Sequence, residues 1–303
     1  HTEKEVFTLV EKRWKGLQRL RTNLGDENIG YEEHGGYEIF TAKQNELYEQ
    51  CTERMSGFNE TMKDITGIKE VYWTADERIS EFGFDGVSHM LFNCAEGQVN
   101  TGQMMNVLLN KVRALGVNII NGFPVKNFSE QENHVDIIAD NGLNIKAKKL
   151  LIATNGFAQQ LVPELDVTPA RAQVLITKPI SGLKWKGIFH YDEGYYYFRN
   201  VGDRVLIGGG RNLDFEGEAT TEFGLTEQIQ NRLEQMLRKI FLPENNFKVD
   251  MRWSGIMGLG DKKITIVRHL SPHIFCSVRM GGMGIAIGSL IGEEAAEMIS
   301  ENS

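Results

Sequence analysis

Cysteine is scarce: Cys51, Cys94 and Cys276 are widely spaced, and none belongs to a CxxC pair. A disulfide framework and a zinc knuckle are therefore excluded. Among the histidines His34, His89, His134, His190, His269 and His273 no HxH occurs, and the one HxxxH spacing, His269 to His273, contains Pro272 and so cannot sit on a helix, so no metal site is expected. They read as surface or satisfied structural side chains. No long run of lysine and arginine occurs and the net charge is -8, which argues against nucleic acid as a partner. No apolar run approaches the roughly 20 residues of a membrane-spanning helix, the most apolar tract being residues 283–291. The expectation is a protein with no integral membrane segment, located in a reducing cytoplasm.

What is present is an ordinary globular composition, 41% hydrophobic and 24% charged over 303 residues, long enough for two domains. Val6, Leu9, Val10, Trp14, Leu17, Leu20 and Leu24 recur at helical spacing up to Gly25. Residues 29–41 read as a short strand pair around His34, Gly35 and Gly36, and residues 43–60 as a helix. Met105, Leu108, Leu109, Val112 and Leu115 form a helical stripe that stops at Gly116. Residues 117–120 follow as a short strand. Strands are expected at 71–73, 135–139, 143–146 and 149–153, with a turn at 140–142. Residues 170–212 are β-rich, and a helix spans 226–241. Strands at 247–253, 265–267 and 274–278 precede a glycine turn and a last helix.

Two segments carry the chemistry. The strand 274–278 runs into Arg279-Met280-Gly281-Gly282-Met283-Gly284 and then a helix. Glycines there let backbone approach a ligand, and a helix N-terminus offers free N–H groups and partial positive charge. The other is Leu150 to Gly156, an apolar strand ending in Ala153-Thr154-Asn155-Gly156. Such an end suits a dinucleotide lying across the carboxyl ends of a parallel sheet.

Six segments, in order, resemble the FAD-dependent oxidoreductases related to D-amino-acid oxidase. They are Gly97 to Gln103, Ala114 to Ile119, Ala147 to Gly156 and Pro169 to Val174, then Tyr196 to Arg199 with Arg204 to Gly210, then Arg252 to Gly258 with the turn at Gly281 to Ile285. The branch most resembled contains glycine oxidase, sarcosine oxidase and γ-glutamylputrescine oxidoreductase. The resemblance implies an α/β and α+β architecture: a truncated Rossmann-like FAD-binding domain with an inserted antiparallel-sheet substrate domain. The expected division is a helix at 1–28 attached to the FAD domain and a first substrate part at 29–96. FAD-binding residues 97–168 follow, then a second substrate part at 169–255 and the closing FAD part at 256–303.

By the same resemblance FAD is the cofactor, with Val125, Ala153, Thr154, Asn155, Gly156, Gly281, Gly282, Met283, Gly284 and Ile285 against it. A small amine or amino acid is the substrate, with Tyr195, Tyr197, Arg199, Arg252 and Met257 around it. The cofactor carries the reaction, taking a hydride from the carbon beside the amine nitrogen, so no protein nucleophile is assigned. Two departures bear on this. The family's opening strand–GxGxxG–helix unit is not found before residue 97. With the His-Thr-Glu start, that sets the expectation of a piece cut from a longer protein, incomplete and inactive by itself. The arginines that clamp a substrate carboxylate in glycine-oxidase-like patterns are replaced by Met257 and Gly282, which favours an amine over an α-amino acid. An amino-acid oxidase, or a non-catalytic fold that has lost FAD, are the other readings.

Overall fold

The computed structural model describes residues 2–301; the reading of His1 lies outside them. The first half comprises α1 (Glu3–Leu24), α2 (Asp26–Ile29), β1 (Gly36–Thr41), α3 (Asn45–Thr66), β2 (Tyr72–Thr74), α4 (Arg78–Phe82), β3 (Val87–Asn93) and α5 (Thr101–Ala114). Next come β4 (Val125–Glu130), β5 (Val135–Ala139), β6 (Asn144–Ala147), β7 (Leu150–Ile152), β8 (Thr168–Thr177), β9 (Ile188–Tyr191), β10 (Tyr196–Val201) and β11 (Arg204–Gly209). The chain closes with α6 (Glu227–Met236), β12 (Val249–Leu259), β13 (Ile266–His269), β14 (Ile274–Val278) and α7 (Gly284–Ser300).

An eight-stranded sheet in the order β12-β8-β11-β10-β9-β1-β3-β2 dominates. It is antiparallel except where β1 lies parallel to β9. Cross-strand partners point to the same face, so the register sorts side chains into rows. One row runs Phe92, Tyr37, Phe189, Phe198, Ile207, Leu175. Its rings stack across strands, Tyr37 on Phe189 at 5.0 Å and Phe189 on Phe198 at 4.7 Å. With Leu233, Leu237 and Phe241 this row forms the main core, each large apolar side chain there contributing roughly 1.5–3 kcal/mol.

A second body pairs β7 with β14 in parallel, with β13 antiparallel beyond, and the meander β4-β5-β6 packs nearby. Its core is Ile152, Val162, Leu165, Cys276 and Val278. Together they form the Rossmann-like body and the sheet body that the sequence implies. The expected division at residues 255 and 256 falls inside β12.

α1 begins with a capping box between Thr2 and Glu5 and stops at Gly25, whose φ of 82° ends the helix. It lies along α7 at very close range: a Cβ on Gly16 would stand 2.2 Å from the Ala286 carbonyl oxygen. Lys12–Glu294 and Arg19–Glu293 ion pairs flank that contact. Among the described residues no helix is long and apolar enough to cross a membrane.

Several expectations need correction. Residues 29–41 do not form a strand pair; α2 ends at Ile29 and β1 is a single strand whose partners, β3 and β9, lie far away in sequence. Residues 117–120 form no strand, and Val117 and Ile120 are exposed, because no described strand lies beside them. β3 and β4 do not correspond to any expected strand, while β9 falls within the stretch expected to be β-rich. The helix expected at 43–60 runs to Thr66, and β12 continues six residues beyond 253 to Leu259.

Candidate active site

The opposite face of the large sheet is lined differently. Its central row reads Leu91, Glu38, His190, Tyr197, Gly208, Val174, Trp253. The adjoining row contains Asn93, Gly36, Ile188, Arg199, Leu206 and Ile176. Polar and titratable groups thus collect in the centre of one face while the other face is aromatic core. Gly208 is required here: a Cβ would meet the Tyr197 hydroxyl at 2.6 Å and Val174 at 2.5 Å, so the tyrosine ring lies across a bare strand.

α1 and α3 cover one end of this face, and the N-terminus of α7 approaches it. Between them is a cavity of about 270 Å3. Its walls include Arg13 and Trp14 of α1, Tyr72 of β2, Glu96, His190, and Gly282, Met283 and Ile285 from the final turn. His190 Nε2 and Glu96 Oε2 are 3.3 Å apart, and Asn93 Nδ2 donates to Glu96 Oε1 at 3.1 Å. Burial opposes ionisation of both, but their mutual contact wins. His190 is raised above its ordinary value and Glu96 is held below the usual carboxylate range. Glu38 makes no hydrogen bond or ion pair among the described residues, and burial pushes it up to about 7.

The final turn is held from behind. Met280 N–H donates to Asn155 Oδ1 at 3.0 Å, and Gly281 N–H donates to the Gly258 carbonyl at 2.9 Å. Gly156 and Gly258 permit this weave, since a Cβ on Gly156 would stand 2.6 Å from the Met257 carbonyl. Asn155 sits at φ 45°, a conformation that asparagine tolerates, and its side chain is committed to the turn. Arg279, at φ 65°, is tied to Asp166 and to the Ile264 carbonyl.

Beyond that weave the surface is open. Met283 gives α7 no side-chain cap, so the first N–H groups of the helix are left without an intrahelical partner. A Cβ on Gly282, Gly288 or Gly292 would meet nothing within 4 Å. A flat ring with a developing negative charge fits this N-terminus. The residues at Gly281, Gly282, Met283, Gly284 and Ile285 therefore suit the flavin end of FAD. Ala153 and Thr154 stand exposed at the carboxyl end of β7, whose described partner is β14 alone. Val125 opens β4 and is exposed.

The substrate residues expected from sequence separate. Tyr197 and Arg199 share the site face, with Met257 on the Trp253 side of β12. Arg199 has no hydrogen bond or ion pair among the described residues, and burial lowers its pKa. Tyr195 lies outside β10, in the turn from Asp192, 42% exposed and edge-on to Phe215. Arg252 belongs to the core-facing row opposite Leu175 and reaches α6, donating to Gln230 Oε1 at 2.7 Å and pairing with Glu234. It is therefore structural. Arg252→Ala is expected to lower stability by about 1–2 kcal/mol while leaving ligand affinity at the cavity unchanged, as thermal melts and ligand titrations would show.

Glu38, Glu96 and His190 were not expected as site residues. The available signal was a carboxylate at the second position of Tyr37-Glu38-Ile39-Phe40, an otherwise apolar strand.

The model of the FAD-dependent oxidoreductase family related to D-amino-acid oxidase matches residues 1–298. The chain belongs to that family. It is 29% identical over 160 residues to a bifunctional ThiO/ThiG protein of Trichormus variabilis, covering 50% of this chain and 24% of that protein. It is 20% identical over 236 residues to a probable oxidoreductase, OrdL, of Haemophilus influenzae, covering 75% of this chain and 53% of the relative. The chain thus spans about half or less of the curated relatives it matches. Glycine oxidase from Bacillus cereus superposes with a TM-score of 0.79 at 15% identity, covering 100% of this chain and 84% of that one. That likeness establishes the shared fold.

Proposed function

We propose that this protein is an FAD-dependent oxidoreductase that oxidises a C–N bond of a small amine. When bound, FAD would supply the hydride acceptor for the carbon beside the nitrogen of the neutral amine, and the iminium ion left behind is hydrolysed by water. The observation that carries this reading is the cavity where the open, glycine-lined N-terminus of α7 meets the polar row of the large sheet. The residues of the chain hold and orient the parts. The first N–H groups of α7, at Gly284 and Ile285, would face the flavin end and favour negative charge there. Tyr197, held flat over Gly208, and Trp14 and Tyr72 on the cavity wall give apolar and aromatic surface for the substrate. Asn155, behind the turn, keeps it in register.

The amino-acid reading has one observation in its favour, the unpartnered Arg199 on the site face, with Arg13 on the cavity wall. A guanidinium without a carboxylate partner suits a substrate acid group. Comparing alkylamines with amino acids of matched chain length in an anaerobic flavin-reduction assay separates the two. Amines are expected to react faster, and Arg199→Leu to leave their rate unchanged. Preference for amino acids that Arg199→Leu abolishes would replace the amine reading.

A further inference from the structure

His190 touches one carboxyl group and neighbours a second on the same sheet face. Glu96 contacts its Nε2 at 3.3 Å, and Glu38 lies directly opposite it in the β1–β9 ladder. Glu96 and His190 line the cavity, together with the aromatic faces of Trp14 and Tyr72. Other charged or titratable groups bear on the cluster from each packed element. Arg13 reaches it from α1, Cys51 from α3 and Glu193 from the turn after β9. Arg13 makes no hydrogen bond to Glu96, so the cation that can contact that carboxylate is the protonated form of His190.

We propose that this cluster is the subsite for the substrate's ammonium group, which replaces the His190 imidazolium as the counter-ion of Glu96 and Glu38. The inference rests on the amine reading above. Two cations cannot both crowd the same pair of carboxylates without repulsion, so binding of an ammonium favours neutral imidazole. The proton leaves His190 Nε2 or Nδ1 for solvent, and the ammonium nitrogen takes up the hydrogen bonds to the carboxylate. No bond to carbon changes. Linkage then requires the reverse: protonated His190 competes with the amine, and amine affinity rises with pH through the His190 titration. Glu38 acts in the same sense, since its burial keeps it protonated at acid pH and withholds its charge until the pH approaches neutral. Aromatic faces beside the carboxylates add a preference for a cation over a carboxylate ligand.

The test uses n-butylammonium chloride and sodium butyrate as probes, with the histidine side chains followed by 15N NMR across about pH 6 to 9. Butylammonium is expected to shift the His190 titration to lower pH and to bind about tenfold more tightly at the alkaline end than at the acid end. Glu96→Gln should weaken butylammonium binding about tenfold and lower the His190 titration even without ligand. Glu38→Gln, at a position with no hydrogen bond to lose, guards against misreading a folding defect and should act in the same direction. Butyrate binding that raises the His190 titration would overturn the proposal. So would butylammonium binding that leaves His190 unmoved, or no butylammonium binding at all. This readout needs no flavin, so failure of amines to reduce flavin would contradict the proposed function separately.

Discussion

Gly16→Ala is expected to destabilise the protein by about 2 kcal/mol, although helix propensity alone predicts the opposite sign. Alanine is favoured over glycine inside a helix by about 1 kcal/mol. The added methyl, however, would stand 2.2 Å from the Ala286 carbonyl oxygen and 2.9 Å from the Ile287 Cα, both backbone atoms of α7. Backbone cannot rotate away as a side-chain tip can, so the helices must separate, and overpacking of this kind costs about 1–3 kcal/mol or more. Separation would also loosen the cavity, whose walls include both helices. Urea unfolding with an unchanged slope and a lower midpoint is the expected result. A raised midpoint would show that α1 and α7 are not packed this closely.

Arg171→Met is expected to cost about 3–5 kcal/mol at neutral pH. Glu218 has no exposed surface and receives Arg171 through two N–H groups, at 2.9 and 2.8 Å, and Gln173 Nε2 at 3.0 Å. Burial alone would raise the Glu218 carboxyl, but the contacts from Arg171 and Gln173 outweigh it and hold the group below its ordinary range. A lowered folded-state value means the ionised carboxylate stabilises the fold above the unfolded pKa of about 4.3, and that this contribution is lost as pH falls through the folded value. The penalty of Arg171→Met should therefore be largest at neutral pH and shrink on acidification. Pairing it with Glu218→Leu should recover most of the loss, since the buried charge goes too. A penalty independent of pH would contradict this account.

Local signals in the sequence were informative and distant ones were not. The final strand, glycine turn and helix were legible because glycine and helical spacing act within a few residues, and β14 and α7 lie where they were expected. Period-two alternation accounts for Tyr197 and Arg199 on one face of β10 and for Tyr196 and Phe198 in the core, but not for Tyr195, which falls in the turn before the strand. Which face of β12 Arg252 occupies was not legible, because that depends on the register of β12 against β8 and on α6 lying below. The parallel pairing of β1 with β9 joins segments about 150 residues apart, and no local pattern announces it. For the same reason Glu38, Glu96 and His190 read as unrelated residues: only the sheet register brings them together.

The central claim is that this fold binds FAD at the N-terminus of α7 and passes it a hydride from an amine. The most direct measurement is the visible absorbance of the protein, purified at its full natural length and supplied with FAD, before and after anaerobic addition of a series of small amines. The account predicts bound flavin bands that bleach with at least one amine and return when an electron acceptor is admitted. A protein that takes up no FAD, or flavin bands that no amine or amino acid bleaches, would contradict it.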